Sequence, residues 1–306
     1  MTQAAAPTAD TVRRLVRSLL PDGGAVEIGP AGDGAPFTWL VGARYVLRLA
    51  PDRDAGTALR RELRLRELVR PHAGVAVPAT VAHGEWADGL PCALDTRIPD
   101  GPGEYRTVSA LGEADLAGLL SGLREVPVRQ AETLGVPRVR PRSLESLKVA
   151  AAGAAERLRA ADEFDPARLR QLTGAAAVQL GGRPDAAVLV HHGLGEGHLL
   201  VGADGRVRGV ADWTGAVVGD PAEDIAGLAL AVGAPAAVRA ATLAGYGARP
   251  CLRGLWLARC EAVVRLADRL RGRTEEPLPA LRARLRHAWE AILLERLTDL
   301  PDEGPL

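Results

Sequence analysis

The chain has 306 residues, 47% hydrophobic and 25% charged, with a formal net charge of +0 and a pI near 7.0. That length buries a large core, as one big domain or as two lobes. The neutral balance leaves no electrostatic footprint for nucleic acid or an anionic membrane. Lys148 is the only lysine, so a phosphate contact would fall to arginine. The cysteines Cys92, Cys251 and Cys260 lack metal-ligand spacing and fit a reducing cytoplasm. MTQAAAPTADTVRRLVRSLL has no charged segment followed by an apolar run, so no signal peptide is expected. The most apolar stretch, residues 225–238, is interrupted by Gly233 and Pro235 and is too short to span a bilayer. The expectation is a cytoplasmic protein with neither a membrane nor a nucleic-acid partner.

Val12, Leu15, Val16 and Leu19 recur at helical spacing behind Asp10, a plausible N-cap, and Pro21-Asp22-Gly23-Gly24 stops that helix. Strand-like runs follow at 25–28, 38–41 and 45–49. Residues 58–69 read as a charged helix with Leu59, Leu63 and Leu68 on one side, and 75–81 and 92–98 read as two more strands. The Pro/Gly cluster at residues 99–103 is the best candidate for a hinge. Beyond it, Leu116, Leu119, Leu120 and Leu123 form one apolar stripe, and an Ala-rich helix covers residues 144–161. Further helices fill 236–297, with Leu255, Trp256, Val263, Val264 and Leu266 as expected core. No internal repeat is evident.

The segment 188–226, VLVHHGLGEGHLLVGADGRVRGVADWTGAVVGDPAEDIA, carries the most chemistry. Residues 199–201 and 207–211 are short apolar runs joined through Asp204-Gly205, whose glycine supplies the positive φ of a hairpin turn. Asp212 follows the second run directly. Local sequence alone favours a plain polar strand exit there. The alternative is a carboxylate held by a rigid hairpin to bind Mg²⁺ between phosphates.

In order and spacing, this segment resembles the catalytic core of the aminoglycoside and macrolide phosphotransferases, a kinase-like family. Its pattern H-G-D-x-x-x-x-N is followed by an apolar triplet, a D-G turn, I-D-W and G-D-P-x-x-D. Here HHGLGEGHLLV (residues 191–201) takes the first part. Val210-Ala211-Asp212-Trp213 takes the second, and Gly219-Asp220-Pro221 with Asp224 the third. The resemblance implies that Asp212 binds the metal and that Asp220 and Asp224 support the loop. Two positions depart from it. The catalytic aspartate falls on Gly193, and the metal-binding asparagine on His198. An imidazole can partly replace Asn as a ligand, whereas glycine has no side chain to offer. Glu196 and His192 are the nearby groups with acid–base capacity, and His191 is expected to make a structural hydrogen bond within the loop.

Weaker matches lie upstream in family order, the resemblance covering residues 26–246. Gly29, Gly32 and Gly34 join two strands as a phosphate-covering loop would, though such clusters are common in hairpins. Arg48, in YVLRL, would contact the α/β-phosphates and pair with Glu62; Glu67 is the alternative partner, and a solvated helix face the plain reading of either. Thr96 and Ile98, flanking Arg97, would line the adenine pocket through backbone groups. The implied fold is α+β and bilobal. It has a small antiparallel-sheet N-lobe, residues 1–98, that binds nucleotide, and a mostly helical C-lobe, residues 99–306, that carries the catalytic loop and substrate site. The implied cofactors are ATP or GTP with Mg²⁺ held by Asp212 and His198. The implied activity is phosphoryl transfer to a hydroxyl of a small natural product, impaired by the missing aspartate. The alternatives are a pseudo-phosphotransferase that binds a nucleotide, a metabolite or a protein partner, and a scaffold repurposed for other chemistry.

Overall fold

The computed structural model describes residues 4–20, 26–32, 35–99, 107–181, 187–195 and 197–292. Gly34, Glu196, the stop at residues 21–24, most of the hinge at 99–103 and the last five residues of the 236–297 helical tail fall outside them.

The N-terminal lobe is built on one antiparallel sheet. Helix α1 (Ala9–Leu19) precedes β1 (Ile28–Pro30), β2 (Thr38–Val41) and β3 (Tyr45–Leu49). Helix α2 (Arg53–Val69) leads into the hairpin of β4 (Thr80–Ala87) and β5 (Leu90–Thr96), giving the order β1-β2-β3-β5-β4. Thr8, not Asp10, caps α1: its hydroxyl accepts from the Thr11 amide at 3.3 Å, and Asp10 instead pairs with Arg13. Helix α2 starts five residues earlier than the apolar pattern suggests. The cause is Asp52, whose carboxylate accepts from the Ala55 amide at 2.9 Å and satisfies a free N–H of the first turn. Its C-terminal half buries Leu65 and Val69 rather than Leu68.

The expected strand at 75–81 is displaced. Only Ala76 makes an isolated bridge there, to Gly209, and the strand proper is β4. Asp88-Gly89 explains the shift. Gly89 has φ +68 and turns the chain tightly, so the hairpin register is set from that end, and exposure alternates along β4 as a one-sided strand requires.

The second lobe is mostly helical: α3 (Ala110–Glu125), α4 (Val128–Thr133), α5 (Leu144–Ala160) and α6 (Gly174–Gly181) come first. The pairs β6 (Val188–Val190) with β9 (Val217–Gly219), and β7 (Leu199–Val201) with β8 (Val207–Val210), form two small ribbons. Helices α7 (Ala222–Val232), α8 (Ala234–Leu243), α9 (Ala248–Leu270) and α10 (Leu278–Ala288) close the lobe. Leu116, Leu119, Leu120 and Leu123 are all buried on α3, each worth roughly 1.5–3 kcal/mol of transfer free energy. Helix α3 packs so closely on the β7–β8 turn that a Cβ on Gly112 would lie 2.1 Å from the Gly205 carbonyl oxygen. Arg206 fixes the same turn with a bidentate pair to Asp115, both bonds 2.7 Å. This architecture is the bilobal α+β, kinase-like fold.

The main core belongs to the helical lobe, but Leu65, Val69, Ala73 and Val77 are part of it. The far end of α2 and the segment after it are thus embedded in the C-terminal core. Strand β8 meets that segment directly, with the Val210 amide donating to the Ala76 carbonyl at 2.9 Å.

Candidate active site

The chain turns tightly between β6 and β7, and Asp224, in the first turn of α7, holds that turn. Its two carboxylate oxygens accept the backbone amides of His191 at 2.8 Å and His192 at 2.9 Å. Burial pushes the Asp224 carboxyl up to about 7, against those two N–H donors. His192 has φ +65, a left-handed conformation that bulky residues hold only when the surroundings impose it; here the bond to Asp224 does. Asp220 makes the neighbouring anchor, pairing with buried Arg253 at 2.5 Å.

His191 is fully buried against the edge of Trp213, ring centroids 4.6 Å apart. Its Nε2 lies 3.0 Å from the Ala211 carbonyl oxygen. A carbonyl can only accept, so Nε2 carries the proton and Nδ1 presents a lone pair. Burial holds this imidazole down to about 4, outweighing the carbonyl bond that favours its charged form.

Asp212 also has positive φ, +53. Its Oδ1 accepts from the Thr214 hydroxyl at 2.5 Å and the Thr214 amide at 3.2 Å, leaving Oδ2 facing His198 Nε2 at 3.5 Å. Burial alone would raise the Asp212 carboxyl. The Thr214 bonds, with His198 and Arg48 nearby, bring it below the usual range instead.

Gly193 completes this cluster. A Cβ built on it would lie 2.9 Å from His198 Nδ1 and 3.4 Å from His191 Nδ1. The space beside Gly193 is therefore taken by the His198 ring. Both Nδ1 atoms are buried, and neither has a hydrogen-bond partner among the described residues. His192 is exposed. It lines a cavity of about 140 Å³ with Gly193, Leu194 and Gly195. The far wall of that cavity is a chain of paired charges: Arg142 holds Glu223 at 2.5 Å and Glu261 at 2.8 Å, and Glu261 holds Arg265 at 3.2 Å.

Across the cleft, Arg48 on β3 is paired with Glu62 at 2.6 Å, while Glu67 makes only a surface pair with Arg70. Sequence reasoning missed two further members, Asp95 and Arg66. Asp95 accepts from Arg48 Nε at 3.0 Å, Arg66 Nη2 at 2.8 Å and the Thr80 hydroxyl at 2.9 Å. Its signal in the sequence was an aspartate in the otherwise apolar run LPCALDT. Burial would raise the Asp95 carboxyl, but the two guanidinium groups and Thr80 hold it below the usual range. Glu62 also reaches the other lobe, accepting the Trp213 amide at 3.2 Å, and Arg61 donates to the Thr214 carbonyl at 2.8 Å. Helix α2 thereby clamps Trp213 and Thr214, the two residues that follow Asp212.

The remaining upstream residues are less convergent. Gly29 lies in β1, and no heavy atom of the described residues lies within 4 Å of a Cβ built on Gly29 or on Gly32. Thr96 spends its amide on the Ala79 carbonyl at 2.8 Å and its hydroxyl on the Ala79 amide at 2.9 Å. The Arg97 amide donates to the Arg44 carbonyl at 2.7 Å, and Ile98 packs against Gly209. The amides of Thr96 and Arg97 are thus committed within the lobe.

Two donor features bear on a nucleotide and a cation. Arg48 Nη2 lies 2.9 Å from Asp95 Oδ2 but makes no hydrogen bond, and Asp212 Oδ2 is unspent. Both features suit phosphate and cation. No cluster of three or more metal-capable side chains occurs among the described residues, so phosphate oxygens would have to complete any coordination shell. No helix among them is long and apolar enough to cross a membrane.

A kinase-like fold with this cleft defines a class of phosphate-transferring proteins, and the sequence assigns the chain within it. Residues 27–256 match the phosphotransferase enzyme family, and the chain belongs to that family. Among solved structures it is similar to the GDP complex of aminoglycoside 2'-phosphotransferase-IIIa, with a TM-score of 0.66 at 19% identity, covering 92% of this chain and 98% of that one. It is also similar to macrolide 2'-phosphotransferase MphH from Brachybacterium faecium, with a TM-score of 0.58 at 22% identity, covering 90% and 99%. A third is the streptomycin-ATP-APH(2")-IIa ternary complex, with a TM-score of 0.56 at 13% identity, covering 94% and 98%. At these identities the likeness is one of fold. No curated protein matches the sequence.

Proposed function

We propose that this protein transfers a phosphoryl group from ATP or GTP to a hydroxyl of a small natural product, and does so weakly for want of a carboxylate at Gly193. The observation that carries this reading is the continuous link from Arg48 through Glu62 to the Trp213 amide, which joins the phosphate-binding strand to the segment bearing Asp212. A structure that had lost nucleotide chemistry would have no need to keep a buried and a half-buried arginine in register with two buried carboxylates. The solved relatives are complexes with GDP, with streptomycin and ATP, and with kanamycin, which supports nucleotide and a hydroxylated acceptor as the ligand classes.

Residues 1–98 would hold the nucleotide and 99–306 the acceptor. Bound there, the nucleotide supplies the phosphoryl group and a cation neutralises its oxygens. Arg48 would orient the phosphates, fixed by Glu62 and Asp95. Asp212, kept ionised, would hold the cation with His198. Such transfer depends mainly on positioning, and a general base contributes about 10²–10⁴-fold. His191 and His198 place imidazole nitrogens where the carboxylate is missing. A second reading, nucleotide binding without turnover, is favoured by Gly193 itself.

The test is Mg·ATP turnover against a panel of hydroxylated antibiotics, comparing wild type, Gly193→Asp and Gly193→Asp/His198→Asn. The double variant removes the ring that a new Cβ would strike. Slow wild-type turnover that rises about 10²-fold or more in the double variant supports the proposal. Turnover only in the variants moves the natural protein to the second reading. ADP that fails to bind any of the three proteins ends both.

A further inference from the structure

His198 stands where two departures from the family pattern meet. Its Nδ1 faces the space beside Gly193, and its Nε2 faces Asp212 Oδ2 at 3.5 Å. These two ends make conflicting demands. His191 Nδ1 presents a lone pair toward the same space, because its Nε2–H is committed to Ala211. On a neutral ring, a proton on His198 Nδ1 leaves the Nε2 lone pair aimed at a carboxylate, and a proton on Nε2 leaves two Nδ1 lone pairs facing one space, neither with a hydrogen-bond partner among the described residues. A doubly protonated ring would meet both ends as an ion pair with Asp212. A cation between Nε2 and Oδ2 meets them with a neutral ring instead.

The donor set also bears on which cation. Mg²⁺ takes oxygen ligands, whereas imidazole suits Zn²⁺ and its neighbours. An asparagine at position 198 would offer a hard amide oxygen, and histidine does not. Two donors each about 2.1 Å from one cation lie roughly 3.0–3.5 Å apart between octahedral and tetrahedral angles. The separation seen here falls within that span.

We infer that His198 and Asp212 form a divalent-cation site whose imidazole donor shifts preference from Mg²⁺ toward borderline cations such as Zn²⁺ and Co²⁺, and that Gly193 is the clearance that admits the ring. Any Cβ at residue 193 meets Nδ1 at 2.9 Å and pushes the imidazole off the site. The missing acid and the new ligand are then one change. The inference rests on the nucleotide-binding reading, since phosphate oxygens complete the shell.

The test titrates the cobalt and magnesium salts of ADP into the full chain by calorimetry, for wild type, His198→Asn and Gly193→Ala. The Co²⁺ samples are also searched by NMR for a contact-shifted imidazole N–H. Outer-shell changes alone cost about 10–100-fold in metal affinity, so His198→Asn should weaken the cobalt salt by at least about tenfold. The magnesium salt should stay within roughly threefold, because the amide oxygen suits it. The contact-shifted signal should be present in wild type, absent in His198→Asn and reduced in Gly193→Ala. Equal weakening of both salts, an unchanged cobalt affinity, or no such signal overturns the inference in favour of a plain His198–Asp212 ion pair. If neither salt binds wild type, the nucleotide reading has failed, and the NMR signal with Co²⁺ alone decides the cation site.

Discussion

Two polar clusters, one in each lobe, are built on different terms. In the sheet lobe, Arg48, Arg66, Glu62 and Asp95 balance in charge, and each carboxylate meets more than one donor. In the helical lobe, His191, His198, Gly193 and Asp212 leave two imidazole nitrogens unpartnered. Buried polar atoms are normally satisfied, and each one left without a partner costs about 1–3 kcal/mol. The sheet-lobe cluster also leaves Arg48 Nη2 and Arg66 Nε without a hydrogen bond, but each of these stands against a carboxylate, so its charges are balanced. The imidazole nitrogens of the second cluster have no such counter-charge beside Gly193, and that is the difference between the two.

The largest expected effect lies in the charge-balanced cluster of the sheet lobe. Asp95→Ala strands Arg48 and Arg66 on Glu62 alone, and breaking a buried pair in this way costs about 3–5 kcal/mol. Urea unfolding should show that loss, while His198→Ala, in the imidazole cluster, should cost about 1 kcal/mol or less. Similar losses for the two variants would erase the contrast.

A second expectation concerns pH. His191 is held down to about 4 in the fold, against about 6.5 when unfolded. Its stabilising contribution is therefore full above pH 6.5 and lost as pH falls toward 4, a swing of about 3 kcal/mol. Asp224 runs the other way. Raised to about 7, it stabilises fully below the unfolded value of about 3.9 and loses that contribution as pH rises through 7. In wild type the two nearly cancel over pH 4–6.5. Denaturant curves for His191→Asn should therefore show stability declining as pH rises through that window. A wild-type-minus-variant difference that stays flat with pH would remove the buried neutral imidazole from the account.

The smallest effect sharpens the comparison within one cluster. Gly193→Asp forces a Cβ against His198 Nδ1, and overpacking of this kind costs about 1–3 kcal/mol. Adding His198→Asn should return most of that loss in a thermal melt, so the two changes are non-additive. Strict additivity would mean that residues 193 and 198 do not share the space.

The fold was legible in the sequence where periodicity was long. The leucine stripe of α3 and the Ala-rich α5 fell where expected, because every fourth or third residue meets the same neighbour. The ordered motifs from His191 to Asp224 pointed to the family to which the chain belongs. What escaped was set by tertiary contact. Asp95 and Arg66 look like ordinary strand and helix residues until the sheet folds them onto Arg48. That His198 fills the space beside Gly193 is invisible along the chain, since it depends on a ring direction. The strand displaced to β4 was readable in principle from Asp88-Gly89, a turn signal outweighed by the apolar run before it.

Helix α2 has a mechanical consequence. Its first half belongs to the sheet lobe, yet Leu65 and Val69 are buried in the other lobe's core, and Glu62 and Arg61 grip Trp213 and Thr214. The units that unfold together need not coincide with the visible lobes. Helix α2 belongs to the cooperative unit of the helical half, so its amides should exchange with solvent as slowly as those of α3. A fragment severed near residue 98 would carry the sheet but expose that apolar seam to water. On the proposed reading, nucleotide capture would be a property of the whole chain, with α2 as the splint across its two halves.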